Sequence, residues 1–188
     1  MWKRRARSKG APPGDRETST QRPVDFEKAR ERTFQRAVKL LAAKPRSVAE
    51  LRERLLEKQW TNAAVVEAVL ERLGQYGYLN DDRYAFGYAA YRVRQKPVGR
   101  QRLARDLQMK KVARETAEAA LDLVFAEVPE EELIDRAIEK RTRLRGQPHS
   151  PAEAKKLFDH LLRLGFTYDL VLKKVRAITT AEVEVSPD

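Results

Sequence analysis

Apolar residues recur along this chain in steps of three and four, the spacing of one face of an α-helix, through most of the stretch from about residue 26 to residue 178. One pattern occurs three times. Leu51, Leu55, Trp60, Val65 and Val69 are separated by four, five, five and four residues. Leu103, Leu107, Val112, Ala117 and Leu121 keep the same intervals, and so do Leu157, Leu161, Phe166, Val171 and Val175, with offsets of 52 and 54 residues between copies. Two apolar residues four apart are commonplace in a helical protein, but five positions held in step three times over mark an internal repeat. The first two positions of each copy belong to the buried face of one helix and the third lies at its end. The last pair belongs to a second helix after a short turn. A further helical segment precedes each copy, over residues 26–43, 82–95 and 131–145. The pattern predicts an all-α fold of three tandem three-helix repeats, 23–80, 81–128 and 129–178, forming an extended, mildly curved array. Trp60, by this register, is a core residue.

Capping chemistry agrees with these boundaries. "SVAE" at 47–50 and "SPAE" at 150–153 read as capping boxes, in which Ser47 or Ser150 accepts from the amide three residues on and the glutamate reaches back. Pro151 falls at the first helical position, where its missing amide does no harm. Asn62 and Thr167 suit the starts of the helices that follow them. At the joint between the first two units stands "GYLNDDRYA", residues 77–85. Its carboxylates invite a metal reading, but a calcium loop needs oxygen ligands at alternating positions through twelve residues, and here a helix follows at once. The stretch is read as a hinge: Gly77 ends one helix, Asn80 or Asp81 caps the next, and Asp81 and Asp82 favour the positive end of its dipole.

Composition alters the picture at the ends of the chain and in its middle. Residues 1–22 hold seven basic and two acidic residues with little to bury, and are expected to form a disordered basic arm. Residues 179–188 read as a flexible acidic tail. The chain has no cysteine and no apolar run near the ~18 residues that cross a bilayer, which fits a cytoplasmic protein without a membrane partner.

The net charge of +11 points to a polyanionic or acidic partner. It is concentrated in residues 92–114, where Arg92, Arg94, Lys96, Arg100, Arg102, Arg105, Lys110, Lys111 and Arg114 face Asp106 alone. A charge run is usually a solvated face, but eight uncompensated charges in 23 residues exceed what solubility asks for, and favour binding of carboxylate or phosphate. Arg100 lies near a helix N-terminus, where a cation opposes the dipole, as though something other than stability retains it. Arg136, Lys140, Arg141, Arg143 and Arg145 form a second cluster, diluted by Asp135 and Glu139. Tyr84, Tyr88 and Tyr91 share a helix face, and such a stripe more often packs between units than stacks bases.

Catalytic chemistry finds little footing. There is no phosphate-cradling glycine loop, no GxSxG, and only two histidines, His149 and His160, far from any metal-ligand spacing. No cofactor, no catalytic or metal-ligating residue and no small-molecule substrate are expected.

"GYLNDDRYA", "KPVGRQRLARDL" and "VARETAEAAL", with "RSVAELRERLLEKQWTNAAVVEAVLERL" before them and "KLFDHLLRLGFTYDLVLKKV" after, together resemble the RecX family of bacterial recombination regulators. The likeness covers roughly residues 34–178 and lies in the order and spacing of the pieces. It implies an all-helical, non-enzymatic regulator that binds the RecA recombinase–DNA filament and inhibits or modulates its ATPase, strand-exchange and coprotease activities, in recombination, repair and the SOS response. Contact with DNA would be weak or made through the filament. The alternative is a helical DNA-binding protein acting without the recombinase, disfavoured because no helix gathers Asn, Gln and Arg as base readout expects. The family often carries glycine where this chain has Gln59 and Lys111, and keeps it at Gly165. A non-glycine residue in a left-handed turn there would cost about 1 kcal/mol.

Overall fold

The structure, a computed structural model, describes residues 25–185, with side chains through Thr179. The basic arm expected over 1–22 lies outside the described residues. Those described form nine helices and no strand. They are α1 (Phe26–Ala43), α2 (Val48–Leu56), α3 (Ala63–Gln75), α4 (Asp81–Gln95), α5 (Arg100–Met109), α6 (Arg114–Glu127), α7 (Glu130–Arg145), α8 (Pro151–Arg163) and α9 (Tyr168–Val185). In the first unit α3 packs on α1 and α2; in the second α6 packs on α4 and α5; in the third α8 packs on α7 and α9. The helix α9 runs on to Val185, past the point where a flexible tail was expected to begin at 179. Nothing in "TAEVEV" breaks a helix, and the first proline is Pro187.

The core follows the repeat. Of the fifteen register positions all but Trp60 are buried, including Leu51, Leu103 and Leu157. Leu51, Leu55, Val66, Val69 and Leu73 build one cluster in the first unit, whereas a second cluster runs without a break through the second and third, from Ala85 to Val175.

Trp60 departs from expectation because its turn differs. After α5 and α8 the chain closes in the same way. The Lys111 N–H donates to the Gln108 carbonyl (2.8 Å) and Val112 N–H to Leu107 (3.2 Å); Gly165 N–H donates to Leu162 (2.9 Å) and Phe166 N–H to Leu161 (3.4 Å). That pair of bonds needs a left-handed residue, supplied by Lys111 (φ 58°) and Gly165 (φ 90°), and it turns Val112 and Phe166 inward. Lys111 bears the strain anticipated from the sequence. After α2 the strain is avoided: Lys58 N–H donates to Leu55 and Thr61 N–H to Lys58, each at 3.2 Å, and Gln59 stays out of the left-handed region. Trp60 consequently sits half-buried at the rim, with the Arg32 guanidinium 4.9 Å from its ring centre.

The units are joined through the ends of their middle helices. At the second joint Gly99 N–H donates to the Leu164 carbonyl (2.9 Å) and Gln101 N–H to the Gly165 carbonyl (3.1 Å). The N-terminus of α5 thus meets the C-terminal turn after α8. A Cβ on Gly99 would overlap the backbone of Gly165 and Phe166, and one on Gly165 would overlap Arg102. At the first joint the Ser47 hydroxyl, opening α2, donates to the Lys110 carbonyl at the end of α5 (2.5 Å) while accepting from the Glu50 amide (3.1 Å).

Substitution separates the joint from ordinary helix propensity. Gly99→Ala is expected to lower stability in chemical denaturation by roughly 1–3 kcal/mol, through steric overlap at the joint. Gly87→Ala, inside α4 with open space around it, is expected to raise stability by about 0.5–1 kcal/mol.

Candidate binding surface

The hinge residues divide the work in a way the sequence did not separate. Gly77 (φ 69°) ends α3, with Tyr78 N–H donating to the Leu73 carbonyl at 3.0 Å. Asn80 caps α4, its side-chain oxygen accepting from Arg83 N–H at 2.7 Å. Asp81 instead reaches back to α2, where Oδ1 accepts from the Val48 amide at 2.9 Å. Asp82 is exposed in the first turn of α4. The next joint repeats the arrangement: Glu130, in the first turn of α7, accepts from the Arg100 amide at the start of α5 (2.8 Å). Asp81 and Glu130 therefore each cap the middle helix of the preceding unit. Val48 and Arg100 keep the 52-residue offset of the repeat, but Asp81 and Glu130 are 49 residues apart, so a fixed offset does not equate the two acids. Burial pushes both carboxyls above their ordinary range, partly offset by the amides they accept from.

The two capping boxes also differ. Ser150 accepts from the Glu153 amide (3.3 Å), and Glu153 reaches back to His149 N–H (2.9 Å). Glu50 does not reach back; it takes the Lys110 ammonium (3.0 Å) and the Tyr84 hydroxyl (3.4 Å). Burial works against the Glu50 charge, but Lys110 more than offsets it and holds the carboxyl below its usual range.

Seven of the nine basic side chains between 92 and 114 have partners within the chain, although Arg105, Lys111 and Arg114 stay exposed. Arg92 pairs with Asp106 (3.2 Å). Arg100 pairs with Asp122 (2.7 Å) and lies over the Phe125 ring. Arg102 donates to the Arg163 carbonyl (3.1 Å), which places it in the second joint, and Arg105 donates to Gln101 (3.3 Å). Lys110 and Lys111 bind Glu50 and Glu53 of the first unit, and Arg114 binds Glu118 on its own helix. The Arg100 side chain thus bridges to α6, and its amide is capped by α7. Arg94 and Lys96 have no ion-pair or hydrogen-bond partner for their side chains among the described residues.

The fold brings Lys96 to the second cluster. Beside Pro97 a cleft of about 280 Å³ is lined by Lys96, Lys140, Arg141, Arg145, the exposed Leu144 and His160. Burial, then Arg141 and Arg163, depress the His160 pKa and favour the neutral ring. Arg143 is drawn off to Glu139 (2.5 Å), and Arg136 is exposed on α7. No acid lines this cleft.

The tyrosines face elsewhere. Tyr84 and Tyr88 pack on the core with their rings 6.2 Å apart and nearly parallel, at 28°. The hydroxyl of Tyr88 donates toward Asp106 (3.5 Å). This agrees with the packing expected of the stripe, but Tyr91 is 61% exposed. Together they form one wall of a cleft of about 770 Å³ facing the loop that joins α1 to α2. Among the described residues no three of His, Cys, Asp and Glu gather as metal ligands, and no helix is long and apolar enough to cross a membrane.

The described residues thus form an all-α stack of three-helix units with one cationic and one aromatic cleft on its surface. The chain matches the models for the first and second three-helix domains of RecX over residues 34–73 and 80–121. It is 38% identical over 114 residues to the regulatory protein RecX of Treponema pallidum, covering 61% of this chain and 69% of that protein. It is 30% identical to that of Thermobifida fusca over 150 residues, 79% of this chain and 80% of the relative. The crystal structure of RecX from Lactobacillus salivarius shares the fold at a TM-score of 0.72 and 19% identity, covering 82% of this chain and 99% of that one. This chain belongs to the RecX family of regulatory proteins.

The raised Asp81 pKa carries a sign. A carboxyl whose folded pKa exceeds its unfolded value contributes stability fully present below the unfolded pKa, and that contribution is lost as pH rises through the folded one. Asp81→Asn keeps the acceptor without the charge, so it should be at least as stable as the wild type at pH 7. Any advantage should fade on acidification below the ordinary aspartate range. Asp81→Ala removes the cap, and should cost about 0.5–2 kcal/mol in urea melts at pH 7.

Proposed function

We propose that this chain acts as a non-enzymatic regulator that binds the filament formed by RecA recombinase on DNA and restrains its ATPase, strand-exchange and coprotease activities. Membership of the RecX family supports a regulatory role, and the cationic cleft at Lys96, Lys140, Arg141 and Arg145 is the observation that carries the choice of surface. These side chains come from α4's end and α7, and no acid shares their cleft. They remain available to carboxylates of a protein partner or to filament phosphates. Arg102, by contrast, lies in the joint with the third unit and Arg100 ties α5 to α6, so their replacement would confuse folding with binding. A stack of rigid units presents such a surface along a filament without a conformational change of its own. Restraint follows if one copy bridges successive recombinase subunits. DNA contact in this reading is weak or made through the filament.

The variant Lys96→Glu, Lys140→Glu, Arg145→Glu changes exposed side chains. It should melt within about 0.5 kcal/mol of the wild type, as surface substitutions usually do. It should lose inhibition of the recombinase's ATP hydrolysis on single-stranded DNA. Wild-type inhibition should weaken from low to moderate salt, because exposed charges are screened over ~8–10 Å. Full inhibition by the variant, unaffected by salt, would move the contact to another face.

A further inference from the structure

The larger cleft, between the α1–α2 loop and the tyrosine face of α4, is absorbed neither by the fold nor by the regulator reading. We propose that it binds single-stranded nucleic acid, with bases stacked on its tyrosines and phosphates held by its arginines.

Two features support this. The first is the wall: Tyr84 and Tyr88 form a stacked pair, and Tyr91 and Tyr78 stand 61% and 66% exposed in the same cleft. Large aromatic rings left open to water in a concave site offer flat faces, and every nucleobase has a matching face. The second is charge. Lys44, Arg46 and Arg83 surround these rings beside Arg92, which is paired with Asp106, and the cleft's carboxylate, Glu50, is already taken by Lys110.

The size also fits. A space of about 770 Å³ accommodates a ligand of one or two nucleobases, within the ~300–1,000 Å³ of ordinary ligand sites. An acidic peptide would satisfy the guanidiniums but leave the exposed rings without a planar partner. The rings therefore favour a strand over a peptide. Duplex is disfavoured for the same reason, since its bases are already stacked on one another.

The test uses the full chain without recombinase, so its outcome is independent of the filament reading. Fluorescence anisotropy would compare a labelled oligothymidylate of about 20 nucleotides with an abasic strand of equal length and charge. Stacking one base on a protein ring is worth roughly five- to hundredfold in affinity. The wild type should therefore bind the base-bearing strand at least about tenfold more tightly. Tyr78→Ala with Tyr91→Ala, two exposed positions, should erase that preference while leaving affinity for the abasic strand unchanged. Arg46→Ala should weaken both strands alike. Equal affinity of the wild type for both strands would overturn the proposal, as would a double variant that keeps the preference. Displacement of the oligothymidylate by a poly-glutamate peptide at comparable concentration would also overturn it, and assign the cleft to an acidic protein surface.

Discussion

Helix ends leave backbone donors and acceptors without partners, and this chain satisfies many of them with the ends of other helices. The middle helix of one unit begins where the middle helix of the next unit finishes. Its first amides or its capping hydroxyl donate to the carbonyls released there, Ser47 to Lys110 and Gly99 to Leu164. A carboxylate from the next unit's first helix completes each set, Asp81 on Val48 and Glu130 on Arg100. The geometry requires close backbone approach at the second joint, which is why Gly99 and Gly165 face each other there. In the third unit the middle helix opens with Pro151, whose nitrogen has no hydrogen for a neighbour to accept.

This mode of joining decides which charges remain for function. Arg102, Lys110 and Lys111 are bound to a carbonyl and carboxylates of adjacent units, whereas Arg92, Arg100, Arg105 and Arg114 are held within their own unit. What remains is displaced to the flanks: Lys96 with the basic face of α7 on one side, and the tyrosine cleft with Lys44 and Arg46 on the other. The two surfaces differ in chemistry. One is cationic with an apolar edge at Leu144, and the other is aromatic with cations around it. Neither depends on a moving part, because both lie on helices and loops held by the joints.

Periodicity made the helices and nearly all of the core legible, because a helix of this kind must place apolar residues every three or four positions. The register failed at Trp60, since it assumed that all three turns close alike, and Gln59 does not enter the conformation that Lys111 and Gly165 adopt. Caps within a helix, at Ser47, Asn62, Asn80 and Ser150, were readable because donor and acceptor lie three residues apart. The acids that cap a different unit were not, since Asp81 and Val48 are 33 residues apart and nothing local joins them. Charge counting within the middle run missed Glu50, Glu53, Glu118 and Asp122 for the same reason: they pair with Lys110, Lys111, Arg114 and Arg100 from outside the window in which it was counted.

The claim on which this picture rests is that the first amides of α2 and α5 are bonded across units. First-turn helix amides have no acceptor in their own helix and ordinarily exchange with solvent quickly. Native-state hydrogen exchange resolved at Val48, Arg100 and Gln101 measures this directly. Cross-unit bonding predicts protection at these amides comparable with that of Leu103 in the interior of α5. Exchange at the rate of an unprotected amide, in a chain whose Leu103 remains protected, would contradict it.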